Sequence, residues 1–570
     1  MNDDKNQRLF LTIALCLAVA FAWGLLFQPK HRPTNESALA GASQNGQPPT
    51  NAPGAAPSAP IGAAPLAGPG DVPRGTPSSA VKAHPPSRDL VLGSEKLRVV
   101  LTTAGGALKS VELLGAKFQG PAINGKKGEQ VNLVAPEAWP LPLSTEVRKS
   151  AGVEPLIPEE AGYEVVSNDD QTVVMKTEAG GVTLLKTFVL DPSTYKLSVS
   201  YRVSSASAFT GQLVVLETGH GVETKGGMFS SRAKPNQVIC QAGGKTERIA
   251  VGAKHPVWDG PGPVSFAGID EQYFLRALVV DPQANATCHI ESTPLGALTA
   301  TLVLPLSIAA GNSTTSALTQ FIGPKDLDQL AAVAAPLKEA VDFGFWSIIA
   351  SFLLGVMKFF YKVVPPHNWG VAIILLTLTI KLVTFPLQHR SMKSMQEMQR
   401  IQPQLEAMKK KFAGDTQKQN QEQMKLFKEH GVNPMGSCLP MVIQMPVWFA
   451  LYTTLGVSVE LYHSVFIAGW LNDLTSRDPY YILPVAMGIT MVITQILTPS
   501  PMGNKNQKMI GYVMSGFFSL IMINLPSGLT LYIFVNNLLS IAQQVYLRKT
   551  MKLGGPPASG QTIAVGATQG

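Results

Sequence analysis

The period of the hydrophobic positions changes several times along this chain, and each change marks an expected boundary. Leu9 to Phe27 is an uncharged apolar run behind Lys5 and Arg8. It is long for a signal-peptide core and ends without a small-residue cleavage site, so residues 1–27 predict a retained membrane anchor. Residues 28–87 have no period: Ala, Pro, Gly, Ser and Asn dominate, with eleven prolines from position 48 onward. Such a stretch cannot bury a core and predicts a disordered linker. Over 88–325 the period is two. LRVVLTT (97–103), VTLLKTFVL (182–190), KLSVSYRV (196–203), QLVVLE (212–217), YFLRALVV (273–280) and ALTATLVLPLSI (297–308) predict a large antiparallel β sandwich.

Beyond residue 326 the period becomes helical. Residues 343–362 are apolar, yet Ser347, Ser351, Gly355, Lys358 and Lys362 line one side, which predicts an interfacial amphipathic helix within a 326–365 connector. Five apolar runs of near-spanning length follow, at 369–388, 436–457, 480–497, 509–525 and 528–547, placing a five-helix core at 366–548 and a short tail at 549–570. Between the first two runs, 388–432 reads as a helical hairpin. Its first helix, 390–412, carries Pro403 as an expected kink; its second is expected to be capped by Thr416 with Gln419 and to stop near Gly431. The fold class expected is therefore a polytopic α-helical membrane protein carrying an all-β extramembrane domain.

Charge orients these elements. Residues 388–435 contain nine Lys plus Arg, 499–508 two and the tail after 547 three, whereas 458–479 contains Arg477 alone. The positive-inside rule places the first three in the cytosol. With the 343–362 helix not spanning, the β domain lies outside and the N-terminus inside; were that helix to span, the parity would flip. Trp369, Trp470, Tyr480 and Tyr481 then fall at the outer boundary as an aromatic belt. The net charge of +8 and pI near 9.1 accompany apolar spans rather than a basic soluble module, which argues against a sequence-specific nucleic-acid binder.

The run WGVAIILLTLTIKLVTFPLQ (369–388) carries a lysine, Lys381, in its second half. An intramembrane cation costs roughly 2.5–3.5 kcal/mol near a helix centre. Thr377, Lys381, Thr384 and Gln388 fall at i, i+4, i+7 and i+11 and form one polar stripe. Snorkelling toward His389 and Arg390, about 12 Å along the axis, accounts for the lysine but not for the rest of the stripe. Ser437 with Gln444, Thr490 with Thr494 and Thr498, Ser515 with Ser519, and Thr530 with Asn537 and Gln544 give the other four spans polar faces too. Singly these read as interhelical hydrogen bonds. Together with a lysine they predict a shared cationic, hydrophilic concavity that could hold a polar or acidic segment in transit. On the hairpin, methionines at 392, 395, 398, 408 and 424 among basic residues offer a soft surface for apolar partners or anionic headgroups, or simply pack.

The β region offers little chemistry. Glu217, His220, His255, Asp259 and Glu271 are candidate sugar-active acids and bases, but scattered groups at this density usually serve turns and solvated edges. GGKT (243–246) lacks the earlier glycine of a phosphate loop, since position 239 is Ile. Cys16 and Cys438 lie in apolar runs, and Cys240 and Cys288 can pair only if their domain is outside the cytosol. The spacing of the four cysteines does not suggest a metal site, and no cofactor is expected.

The segments NPMGSCLPMVIQMPVWFALY (433–452), DPYYILPVAMGITM (478–491) and LPSGLTLYIFVNN (525–537) closely resemble the YidC membrane protein insertases. The resemblance covers roughly 337–548, and the Gram-negative layout of anchor, linker and β domain extends it over most of the chain. It implies a bacterial inner-membrane protein with a periplasmic β super-sandwich similar to sugar mutarotases. The implied activity is non-enzymatic: newly made membrane proteins are received from ribosomes, alone or with the Sec translocon, and passed into the lipid bilayer. The implied groove comprises Lys381, Thr377, Thr384, Gln388, Gln444 and Tyr532. Met392, Met395, Met398, Arg400, Met408 and Lys409 of the hairpin would touch client or ribosome. Lys381 stands where the family usually has arginine, and Ile533 stands beside Tyr532 where a second tyrosine is usual. The long basic tail of some members is absent. A solute or ion transporter built around Lys381 and a membrane-anchored carbohydrate-active protein are the competing readings; the first would be expected to show two related halves.

Overall fold

The computed structural model describes residues 87–119, 128–135, 140–150, 154–222, 235–431, 439–497 and 505–550. The expected anchor, nearly all of the linker, Ser437, Cys438, Thr498 and the end of the tail lie outside the described residues.

Among the described residues, alternating apolar positions build three antiparallel sheets. The largest has nine strands, in the order Lys245–Ala250, Gln237–Ala242, Val264–Asp270, Phe274–Val279, Ser313–Pro324, Lys196–Ser205, Val182–Leu190, Thr172–Ala179 and Glu164–Asn168. A six-stranded sheet runs Val257–Gly260, Thr287–Ser292, Ala297–Ile308, Phe209–His220, Thr145–Lys149 and Pro155–Ile157. Asp89–Gly93, Leu97–Thr102 and Ala107–Leu113 form the third. Within Val182–Leu190 every second residue is buried, so burial rather than intrinsic preference sets the register.

One of those inward positions is Lys186. Its Nζ donates to the carbonyls of Gly105 (2.8 Å), Gly106 (2.9 Å) and Leu143 (3.1 Å) and sits 4.7 Å from the Tyr163 ring centroid. Burial holds this ammonium well below the usual lysine range. Between the two larger sheets Glu217 meets Arg276 at 3.1 Å and Gln320 at 3.1 Å. Cys240 and Cys288, one from each sheet, are joined by a disulfide.

Nine α-helices follow among the described residues. They are α1 (Leu327–Val333), α2 (Ser347–Val363), α3 (Trp369–Arg400), α4 (Gln402–Lys411), α5 (Thr416–Glu429), α6 (Leu439–Val457), α7 (Ile482–Leu497), α8 (Lys505–Met522) and α9 (Ser527–Thr550). By length and composition, Gly344–Val363 and Trp369–Ser394 could each cross a membrane, and Ile482–Leu497 and Met509–Met522 are shorter apolar helices. Helix α3 packs on α2, α6 and α9, α9 also packs on α7, and α7 packs on α8. At that last crossing a Cβ on Gly488 would meet Ser519 Oγ, so the small residue permits the close approach.

Two hairpin expectations are corrected. The first arm does not begin afresh near Arg390: α3 runs unbroken through Pro386 to Arg400, and the chain restarts as α4 with Pro403 in its first turn. Proline there forfeits no hydrogen bond, because the first-turn amides are unpaired anyway. The N-cap of α5 is Asp415, whose Oδ1 accepts from Lys418 N at 3.0 Å, and not Thr416. Gln419, the expected capping-box partner, instead donates to Phe412 O at 2.7 Å and ties α5 to the end of α4.

The β region and the helices share a polar seam. Gln272 Nε2 donates to Gly456 O (2.9 Å), Lys117 Nζ to Glu460 O (3.0 Å) and Thr246 Oγ1 to Glu339 Oε2 (2.9 Å). Tyr462 packs on Tyr273 and Phe274 with ring centroids 5.0 and 5.3 Å apart. A cleft of about 710 Å³ opens here, lined among others by Tyr273, Tyr452, Tyr462, His463 and Asp473.

Candidate functional site: a cationic polar face among α3, α6 and α9

Helix α3 holds Lys381 at 9% exposure. Its Nζ donates to Ser540 Oγ on α9 at 2.7 Å, and among the described residues no carboxylate pairs with it. The rest of the α3 stripe largely serves its own helix. Thr377 Oγ1 donates to Ile373 O (2.7 Å), Thr384 Oγ1 to Ile380 O (2.8 Å), and Gln388 Nε2 reaches Thr384 Oγ1 at 3.3 Å. Back-bonding of this kind lets a hydroxyl sit in an apolar helix without an external partner.

Across from α3, Gln444 on α6 donates to the Tyr532 hydroxyl on α9. Tyr532, Asn536, Ser540 and Gln543 fall at i, i+4, i+8 and i+11, so one stripe of α9 carries all four. Asn536 Oδ1 and Gln543 Nε2, a turn to either side of Ser540, are buried with no hydrogen-bond partner among the described residues. A near-buried ammonium with one neutral partner, on a helix stripe that also carries unpaired amide atoms, is suited to acidic or polar guests.

This α9 stripe is rotated from the heptad line Thr530, Asn537 and Gln544 picked out in the sequence. Asn537 Nδ2 points instead to Thr490 Oγ1 on α7, at 3.5 Å. Thr530 closes on Pro526 O (3.4 Å) and Thr494 on Thr490 O (2.8 Å). On α8, Ser515 donates to Gly511 O, while Ser519 reaches Pro484 O on α7. The polar residues of α7 and α8 thus join helices or satisfy backbone, whereas α9 meets Lys381 of α3 through Ser540 and Gln444 of α6 through Tyr532. Ser540 was legible in principle, lying three residues after Asn537 and four before Gln544, but periodicity does not say which edge of a polar arc meets the lysine.

On the hairpin, Met398, Ile401, Leu405 and Phe427 form a small buried cluster against which Met408 packs. Met392 is buried too, Lys409 is half-buried and Arg400 exposed. The Met395 side chain lies outside the described residues. Met424 is exposed. Met398 and Met408 therefore help pack α3, α4 and α5 together.

The β-domain candidates do not converge in the same way. Glu217 is engaged by Arg276, and Asp259 Oδ1 lies 2.7 Å from His289 Nδ1 at an exposed edge. Burial raises Glu271 to about 7. Among the described residues no cluster of metal-ligating side chains is present.

A family model described as "YidC periplasmic domain" matches residues 90–356, and one described as "60Kd inner membrane protein" matches 359–554. A membrane protein insertase YidC from Anaeromyxobacter dehalogenans (strain 2CP-C) is 39% identical over 489 residues, covering 84% of this chain and 88% of the relative. The chain belongs to the YidC family of membrane protein insertases. A YidC insertase from Anaeromyxobacter sp. (strain Fw109-5) is 38% identical over 97% of this chain and 99% of its own length. A solved YidC insertase structure with its first transmembrane domain resolved aligns over 80% of this chain and 92% of its own, at 18% identity and a TM-score of 0.37. The β-rich region followed by helices is the arrangement that the two YidC-family matches divide between them.

Proposed function

We propose that this chain inserts nascent membrane proteins by receiving their polar or acidic segments on the α3, α6 and α9 face around Lys381. The observation that carries the reading is the near-buried ammonium whose hydrogen-bond partner is a neutral serine. Such a charge is costly in hydrocarbon and lowers the cost of a transient carboxylate beside it. Thr377, Thr384, Gln388, Gln444 and Tyr532 complete the face. The apolar flanks of α3, including the exposed Leu378, Leu382 and Val383, would guide the client's transmembrane segment into lipid. No covalent bond is made or broken, so the activity is not enzymatic in this reading.

The proposed topology has the N-terminus in the cytosol, five core spans and the β domain in the periplasm of a bacterial inner membrane. The Cys240–Cys288 disulfide supports an oxidising compartment for that domain. The hairpin, basic at Arg400 and Lys409, would meet the incoming chain or the ribosome, and cooperation with the Sec translocon follows from the family resemblance. The relatives' names lend no support to the transporter or carbohydrate-active readings.

The test is complementation of a depletion strain. Lys381→Glu should abolish insertion of clients with acidic translocated tails and Lys381→Arg should retain it. Equal insertion by the unaltered protein and Lys381→Glu would remove the charge from the mechanism.

A further inference from the structure

Lys381 has four rotatable side-chain bonds, and basic residues just over two turns on, at His389 and Arg390, mark the expected way out toward the headgroups. Left to itself, an ammonium at this depth snorkels along such a route. In this structure it turns instead across to α9. Ser540 Oγ accepts a hydrogen bond from Lys381 Nζ at 2.7 Å, and the same hydroxyl donates one to Asn536 O at 2.8 Å. A serine has one proton to give, so the bond to Asn536 leaves its lone pairs facing the ammonium. Lys381 keeps two further N–H donors, and the buried, unpartnered Asn536 Oδ1 and Gln543 Nε2 flank the same hydroxyl.

We propose that Ser540 is a positioning residue for insertion: it holds the Lys381 ammonium deep on the polar face, against snorkelling, with donors left for a client carboxylate. Serine suits this task because it is neutral. A carboxylate at position 540 would neutralise the lysine and compete with the client, whereas an apolar residue would release it toward the headgroups. The inference rests on the groove reading above and adds to it the residue that sets the depth of the charge.

The test uses the full chain in a depletion strain and two clients that differ only in an acidic or a neutral translocated tail. The readout is the ratio of acidic-tail to neutral-tail insertion, at matched levels of membrane-integrated insertase. Ser540→Val and Ser540→Thr have the same shape and differ in the hydroxyl. The Val variant should lower the ratio about fivefold, as expected for losing one intramembrane hydrogen bond of the stronger kind, and the Thr variant should keep it. In a Lys381→Met background, Ser540→Val should lower the ratio no further, because the serine acts through the lysine. Equal effects of Val and Thr, or a further fall in the Lys381→Met background, overturn the positioning role while leaving the groove standing. An unchanged ratio in Lys381→Met alone overturns the groove reading itself.

Discussion

Lys358 Nζ on α2 lies 2.7 Å from Glu460 Oε1, in the short 3₁₀ turn that follows α6. The same ammonium is 3.2 Å from Asp328 Oδ2 and 3.5 Å from Asp326 Oδ2, at the junction where the last β-strand hands over to α1. One lysine therefore ties together α2, the C-terminal end of α6 and the base of the β domain, and Lys117 reinforces it through the Glu460 carbonyl. Glu460 is almost fully buried, whereas Asp328 is largely exposed.

That asymmetry sets an order of damage. Lys358→Met strands a buried Glu460 and should cost about 3 kcal/mol; Glu460→Gln leaves Lys358 its two aspartates and should cost about 1 kcal/mol. Thermal unfolding and limited proteolysis in detergent, following release of the β domain, measure this. A Glu460→Gln variant as unstable as Lys358→Met would show that the lysine is not the shared tie.

Helix α2 presents three different sides. Ala350, Leu353, Leu354 and Met357 are buried; Ser347, Ser351, Gly355 and Lys362 form an exposed polar stripe; Ile348, Phe352, Phe359 and Val363 form an exposed apolar stripe about 90° away. A helix at a membrane surface needs this combination, with one side packed, one in water and one in lipid. Single cysteines at Ser347 and Lys362, with Cys16 and Cys438 replaced by serine, should both react with an impermeant thiol reagent from the periplasmic side. Labelling of the two from opposite sides would make α2 a span and reverse the topology upstream of it.

Glu271, in the turn between Val264–Asp270 and Phe274–Val279, supplies a pH test. Burial raises its carboxyl to about 7, opposed by the charges of Arg276 and Lys325, with Asp270 adding to the rise. The folded form then binds its proton more tightly than the unfolded chain. Stability contributed by the protonated group is full below about pH 4.5 and falls as pH rises toward 7, by up to about 3 kcal/mol. Comparing unfolding midpoints of the unaltered protein and Glu271→Gln from pH 4.5 to 8 checks this. The variant should lose that part of the pH dependence, and parallel profiles would mean that the carboxyl is ionised throughout.

Much of this molecule could be read from its one-dimensional pattern. Val182–Leu190 and Ala297–Ile308 form strands over the stretches expected, because alternation with one buried face leaves little choice of register. An intramembrane lysine is also visible in a sequence, since composition alone shows a charge within an apolar run. Periodicity could not decide which neighbours that lysine has. Ser540 rather than Asn537 meets Lys381, and Asn537 is taken by Thr490, because a polar arc on one helix can serve two neighbours and helix rotation decides how it is shared. The hairpin methionines were ambiguous for the same reason, and packing turned Met398 and Met408 inward. Local sequence determines the elements and the faces that cannot be left in lipid or water; only the packing of distant segments decides which polar groups meet, since a hydrogen bond depends on a few ångströms that no residue spacing encodes.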